Sequence, residues 1–294
     1  MKALRTFGIV LLFIGLGLFI LGAILTKGDL SKITGIFLND DQYEIVEKKG
    51  EEEITSVDLS LITNDIIIYK STDETYAADY YVSEDDTIDF SIVDKQLVMK
   101  GNKKNEFFNW GIKSPKVSKV NLYLPKSFDG IINIKSITGD VKISDTTLQE
   151  LNIESNTGNI TISKVDIVSG LKFLLNTGDI KLDMVNTTFI DGKSSTGRIE
   201  ILNSVVTTKI DVKTSTGNIS LDSVNCGKVT CKASTGNIKI KLVGPKEDYH
   251  LELETSIGDI FLEGNIMSDH VTTPYGAKSI DASTSTGDIT INFS

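Results

Sequence analysis

Along residues 132–291, apolar side chains fall into four columns set by a recurring glycine. Seven residues before it stand Ile132, Leu151, Leu171, Ile190, Ile210, Val229, Leu251 and Ile280. Five before it stand Ile134, Ile153, Phe173, Gly192, Val212, Cys231, Leu253 and Ala282. Two and four after it come pairs such as Val141/Ile143, Ile160/Ile162, Ile199/Ile201 and Ile289/Ile291. Charged or hydroxyl residues, including Lys142, Lys181, Glu200 and Lys239, separate the columns. This alternation over short β-branched runs predicts strands with one buried face. The glycines sit in a phrase of Thr-Gly-Asx-Ile type at 139, 158, 178, 197, 217, 236, 258 and 287, at spacings of 19, 20, 19, 20, 19, 22 and 29. A period near twenty residues marks a solenoid, in which each unit buries its apolar face only against the next.

Inward positions are odd before the glycine and even after it. A straight strand cannot change parity without turning its apolar face outward, so the chain must bend at the Thr-Gly-Asx step. Glycine tolerates positive φ at such a corner. The spacing varies only on the far side of each rung, which predicts a fixed glycine edge and a variable opposite turn. Val57, Leu59, Leu61, Ile66 and Ile68 fit the same columns if Asn64 replaces the glycine, and asparagine is a common non-glycine occupant of the left-handed region. Further strand-like runs at 77–82, 87–93, 96–100 and 117–124 read as wider, decorated rungs that cap the first end. Nine rungs at about 4.8 Å each make a rod of roughly 40 Å. The expected fold is all-β: a single-stranded parallel β-solenoid of about 19–20 residues per rung.

Ahead of it, Phe7 to Leu25 is an uncharged apolar run, long enough to cross a bilayer core of about 30 Å as a helix. A cleaved signal peptide is the rival reading. The run exceeds a usual signal core and no A-x-A site follows, so an uncleaved anchor is expected. Gly8, Gly15 and Gly22 lie seven apart, near one face, where small residues let a partner helix approach. The expected organisation is a cytoplasmic 1–6, a transmembrane helix at 7–25, a linker at 26–53 and a solenoid at 54–294. Within the last, 54–135 is irregular and 136–294 regular.

The 294 residues carry a net charge of −10, which argues against sequence-blind nucleic-acid binding. Of the two cysteines, Cys231 falls in an inward column and Cys226 in the far turn, an awkward pair for a disulfide. Asp140, Asn159, Asp179, Arg198, Asn218, Asn237, Asp259 and Asp288 form a column after the glycines. Stacked oxygens of this kind could hold Ca²⁺, although Arg198 interrupts them and a corner favours Asx in any case. His250 and His270 have no recognised ligand or catalytic spacing, and no nucleotide or zinc motif occurs. No catalytic residue, cofactor or metal is expected, and the chain is not expected to be an enzyme.

The outward columns contain few aromatics. Phe107, Phe108 and Trp110 instead sit in an irregular segment behind Gly101-Asn102-Lys103-Lys104. They are the candidate binding residues, with capping of the core as the alternative. Large aromatics are favoured in binding hot spots.

A single membrane helix, a TGDI/STGNI ladder every 19–20 residues and a preceding strand ending in Leu124-Pro125 together resemble the bacterial putative-adhesin family of unknown function. The resemblance covers roughly residues 54–294. It implies surface exposure and adhesion, and it supplies no catalytic residues. The expectation is a single-pass cell-membrane protein with its N-terminus cytoplasmic and its solenoid extracellular. It would bind a surface polysaccharide or protein in a non-enzymatic adhesion or scaffolding role. The alternative is an accessory or regulatory envelope protein that senses envelope state through membrane partners.

Overall fold

A computed structural model of the chain describes residues 44–83, 86–103, 118–274 and 276–294. These residues are all-β, and their one helical turn is the 3-10 segment Lys246–Asp248. Successive rungs pair in parallel with the columns in register. Ile160 lies between Val141 and Ile180, and Phe173 between Ile153 and Gly192. The apolar columns are buried almost completely. Each enclosed Ile or Leu contributes roughly 1.5–3 kcal/mol relative to exposure, and the enclosed stack forms one core.

The coil turns at three corners. At the first, all eight repeat glycines have φ between 132° and 147°, a region essentially closed to other residues. A Cβ at Gly217 would also collide with the carbonyl oxygen of Gly197, and the same relation recurs along the edge. The close approach lets the ladder continue through the bend: Gly197 N–H donates to Thr216 O (2.9 Å) and Ile199 N–H to Asn218 O (2.9 Å).

The second corner corrects the expectation of a single variable far turn. Asp145, Lys164, Met184, Asn203 and Ser223, each six residues past a glycine, have φ of 48–58°. Beyond them a third inward face appears, with Val165 and Ile167, Val185 and Thr187, and Val224 and Cys226 buried. Cys226 is therefore a core residue. Most of the length variation falls at the third corner, where the register slips between Ile167 and Gly170, Thr187 and Phe189, and Val206 and Lys209; the second corner slips once, between Asp222 and Val224. The column three before the glycine is also inward. It is filled by Ser136, Ser155, Ser194, Thr214, Thr255 and Thr284, with Leu175 and Ala233 at the two remaining rungs. Three of these hydroxyls bond corner carbonyls: Thr255 Oγ1 donates to Gly287 O (2.9 Å), Thr284 Oγ1 to Gly236 O (3.0 Å) and Thr214 Oγ1 to Gly197 O (3.4 Å).

Both ends stack out of chain order. The rung of Ser56–Leu61 and Asn64–Lys70 lies inside, between the strands Gln96–Lys103 and Ser118–Leu124 on one side and Ile131–Thr138 and Val141–Thr157 on the other. At the far end the C-terminal strands Lys278–Thr286 and Ile289–Phe293 insert between the 229–240 rung and the strands Tyr249–Ile257 and Ile260–Leu262. That insertion accounts for the spacings of 22 and 29. Antiparallel strands then cover the outermost rungs. Asp86–Val93 and Tyr76–Val82 lie on the first end, with Glu44–Gly50 beyond. Asn265–Met267 and His270–Thr272 lie on the other. An open parallel edge would invite pairing with another chain, and short or charged covering strands oppose it.

Asn64 also departs from expectation. It does not adopt positive φ. Its side chain turns inward and Nδ2 donates to Ser118 Oγ (2.6 Å). On one side Asn64 meets the Thr138-Gly139 corner, where a Cβ on Gly139 would collide with Asn64 O; on the other it faces the start of Ser118–Leu124 and not a glycine corner.

Candidate functional site

Phe107, Phe108 and Trp110, the run 7–25, and Gly8, Gly15 and Gly22 lie outside the described residues. Among the described residues no helix is long and apolar enough to cross a membrane.

The Asx column works as a backbone clamp. Asn159 N–H donates to Asp140 Oδ1 (2.8 Å), Asp179 N–H to Asn159 Oδ1 (2.9 Å) and Arg198 N–H to Asp179 Oδ1 (2.8 Å). The series resumes from Asn237 N–H to Asn218 Oδ1 (2.9 Å) and continues through Asp288 and Asp259. One oxygen of each side chain thus serves the next rung. A carboxylate or amide is favoured there because the corner amide needs an acceptor. Among the described residues no three His, Cys, Asp or Glu side chains converge as metal ligands.

The remaining sequence candidates have structural partners. His250 Nδ1 lies 2.6 Å from Thr273 O, and His270 Nε2 lies 3.0 Å from Thr272 Oγ1, both at the far cap. Cys226 and Cys231 are buried free thiols. Burial pushes both pKa values up, against the thiolate that reactivity requires.

The outward surface is not uniformly polar, contrary to expectation. Tyr69 and Tyr123 are directly paired across Asn64–Lys70 and Ser118–Leu124. Their rings stack at 5.0 Å and 16° on the outer face. Tyr69 retains 36% exposure. Ile68 pairs with Ile143 on the other side, so Ser144 comes beside Tyr69 opposite Tyr123. A groove of about 610 Å³ opens there, walled by Tyr69 and Ser144 and rimmed by Lys70, Ser71, Lys126 and Asp145. That volume is within the roughly 300–1,000 Å³ of ligand sites.

Its rim is fastened by a compact network. Ser71 N–H donates to Leu124 O (2.7 Å) and Lys126 N–H to Asp73 O (2.8 Å). Asp73 accepts from Ser71 Oγ (3.0 Å), Thr75 N–H (3.0 Å) and Thr75 Oγ1. The Thr75 hydroxyl and amide, then Ser71, hold the Asp73 carboxyl down to about 2. Glu74 accepts from Ser127 N–H (3.0 Å) and Oγ, which lowers its pKa as well. Tyr69 is locked by its stack and the rim by these bonds, so the groove is pre-organised.

A second depression, of about 440 Å³, lies over Ile153 and Phe173. Its polar side chains engage one another: Asn152 Nδ2 donates to Asn133 Oδ1 (2.9 Å) and Lys172 pairs with Glu150 (2.8 Å). It is also lined by Asp58, Lys135, Glu154, Asp191 and Lys193, but its one aromatic ring, Phe173, is buried, whereas Tyr69 is exposed.

No curated protein matches the chain. Among solved structures, the chain is similar to a putative adhesin from Bacteroides fragilis, with 19% identity and a TM-score of 0.54 over 85% of this chain and 97% of that one. It is also similar to a putative lipid binding protein from Parabacteroides distasonis, with 13% identity and a TM-score of 0.45 over 87% and 99% of the two chains. At these identities the first likeness speaks for the fold alone. The Toastrack DUF4097 family matches residues 54–292, and this chain belongs to that family.

Proposed function

We propose that the chain is a membrane-anchored cell-surface protein that works by adhesion or scaffolding, through binding and not catalysis. Residues 7–25 would form the single span, with 1–6 in the cytoplasm and the solenoid outside. The observation that carries the binding role is the Tyr69 groove: a locked aromatic wall beside hydroxyl and charged groups on a rigid parallel ladder. The adhesin description of the Bacteroides fragilis neighbour fits this reading. Phe107, Phe108 and Trp110 are proposed as a further contact.

Exposed Lys164 provides the test, because Cys226 and Cys231 are buried and give little background. In intact cells, Lys164→Cys should react with a membrane-impermeant thiol reagent, and removing the protein should reduce attachment. Labelling only after lysis would overturn the topology, and undiminished attachment would overturn the adhesion role.

The second reading, an accessory envelope protein, draws on the seven-residue spacing of Gly8, Gly15 and Gly22. Replacing all three with Leu should abolish crosslinking to membrane partners if that reading holds, and leave attachment unchanged if it does not.

A further inference from the structure

We infer that the groove beside Tyr69 binds a saccharide bearing an anionic group, carboxylate or phosphate. The inference rests on the adhesion reading and gives it a ligand class.

The first argument is the aromatic wall. Tyr123 covers one face of Tyr69, and the other faces the groove on the Ser144 side. A pyranose has an apolar C–H face and a rim of hydroxyls. It can lie on such a ring and gain apolar contact without burying its polar edge. A peptide anchor would instead need a closed apolar pocket, and a nucleic acid would need a broad cationic face, which a chain of charge −10 does not favour.

The second argument is the rim. Ser144 supplies a hydroxyl, and Asp145 supplies an acceptor for sugar hydroxyls. Asp145 lies 3.9 Å from Lys164, an exposed contact that leaves its carboxylate accessible. Lys70 and Lys126 bring two ammonium groups to the same groove. Among the described residues neither makes an ion pair. Charge-assisted hydrogen bonds to a sugar carboxylate or phosphate would satisfy them. The lining thus sets two cations against one carboxylate, Asp145, while Asp73 and Glu74 behind the rim are occupied by hydrogen bonds, and the two ammonium groups are what would meet an anionic sugar.

The third argument is rigidity. The lysine-bearing rim is tied to the ladder through Asp73 and Glu74, so little ordering is needed on binding.

The test is calorimetric titration of the full-length chain in a sugar-free detergent, with trigalacturonate, mannose 6-phosphate and neutral isomaltotriose as probes. At least one anionic probe should bind more tightly than isomaltotriose, and the two anionic probes separate a carboxylate source from a phosphate source. Tyr69→Ala should weaken binding on the order of tenfold or more, whereas Tyr69→Phe keeps the stack and most of the affinity. Changing Lys70 and Lys126 together to Ala should abolish the preference for charge, a loss on the order of tenfold. An unchanged circular dichroism spectrum and melting temperature would confirm that each variant is folded. Failure of both anionic probes, equal binding of isomaltotriose, or an unchanged affinity in folded Tyr69→Ala would overturn the inference. Cell attachment separates it from the broader reading. If wild-type cells attach and Tyr69→Ala cells attach equally, adhesion stands and this site falls. If neither attachment nor saccharide binding occurs, both fall.

Discussion

The ring of Phe173 occupies the space above Gly192 in the next rung, where any Cβ would collide with it. The relation is reciprocal, since the ring of Phe189 fills the space over Gly170. Two adjacent rungs thus exchange a large side chain for a vacancy, which is how a glycine comes to stand in an apolar column. Phe173→Ala should cost about 3–5 kcal/mol through the cavity it leaves. Gly192→Ile should cost at least about 1–3 kcal/mol through overpacking. Together the two changes should cost less than their sum, with a coupling of about 0.5–3 kcal/mol. Denaturant midpoints of the four proteins check this, and strict additivity would mean that the two sites do not share space.

Two corners with positive φ should respond oppositely to substitution. Gly217→Ala combines a φ of 147° with a collision against the Gly197 carbonyl, so it should lose more than the roughly 1–3 kcal/mol of backbone strain alone. Met184 has φ 55°, a region asparagine tolerates better than methionine. Met184→Asn should therefore gain up to about 1 kcal/mol. Thermal unfolding of the two variants reads both signs.

Insertions separate the second corner from the third. Two glycines after Ser169, where the register already slips, should shift the melting temperature little because loop closure grows slowly with length. The same insertion after Lys164 falls at a left-handed corner flanked by in-register pairs to both neighbouring rungs, and should destabilise that rung and its neighbours. Equal effects would contradict the three-cornered description.

The glycine corner and four apolar columns were readable because β-branched residues and Thr-Gly-Asx recur in fixed phase. The second corner was not, because its occupants, Asp145, Lys164, Met184, Asn203 and Ser223, share a backbone conformation and no side-chain chemistry. The column of Ser136, Ser155 and Thr214 looked polar and therefore external. Those side chains are small enough to fit inside the bend, and the threonine hydroxyls of the column, at 214, 255 and 284, bond its carbonyls. Tyr69 and Tyr123 were missed for a topological reason. They are distant in sequence, and only the out-of-order stacking at the first end makes their strands neighbours.

Arg198 marks a gap in the corner clamp. It offers no carboxylate or amide oxygen to the Asn218 amide, whereas Asn218 Oδ1 itself accepts from Asn237 N–H at 2.9 Å. Arg198→Asn should restore the missing acceptor and stabilise the fold by about 0.5–1.5 kcal/mol. No gain in denaturant midpoint would show that water serves that amide equally well.

The rim of the Tyr69 groove should loosen in acid. Hydrogen bonds from Thr75 and Ser71 hold the Asp73 carboxyl at about 2 in the folded chain, below its ordinary 3.8. A folded pKa that is depressed gives stability that is present above about pH 4 and lost as pH falls toward about 2. Hydrogen exchange of the Thr75 and Lys126 amides should accelerate over that window relative to the core, beyond the intrinsic pH trend. Asp73→Asn should remove the extra pH dependence.

The out-of-order first end joins the fold to the proposed site, since it sets Tyr123 beside Tyr69. Cysteine pairs on the outward face test it most directly. Asp58 lies between Val98 and Asn133, paired with each in parallel register. Neighbouring strands are about 4.8 Å apart and alternate ones about twice that, while a disulfide needs Cα atoms within roughly 4.4–6.8 Å. Under mild oxidation, cysteines at positions 58 and 133 should crosslink and cysteines at 98 and 133 should not. A crosslink between 98 and 133, with none between 58 and 133, would mean that the rungs stack in chain order and would contradict the architecture on which the site is built.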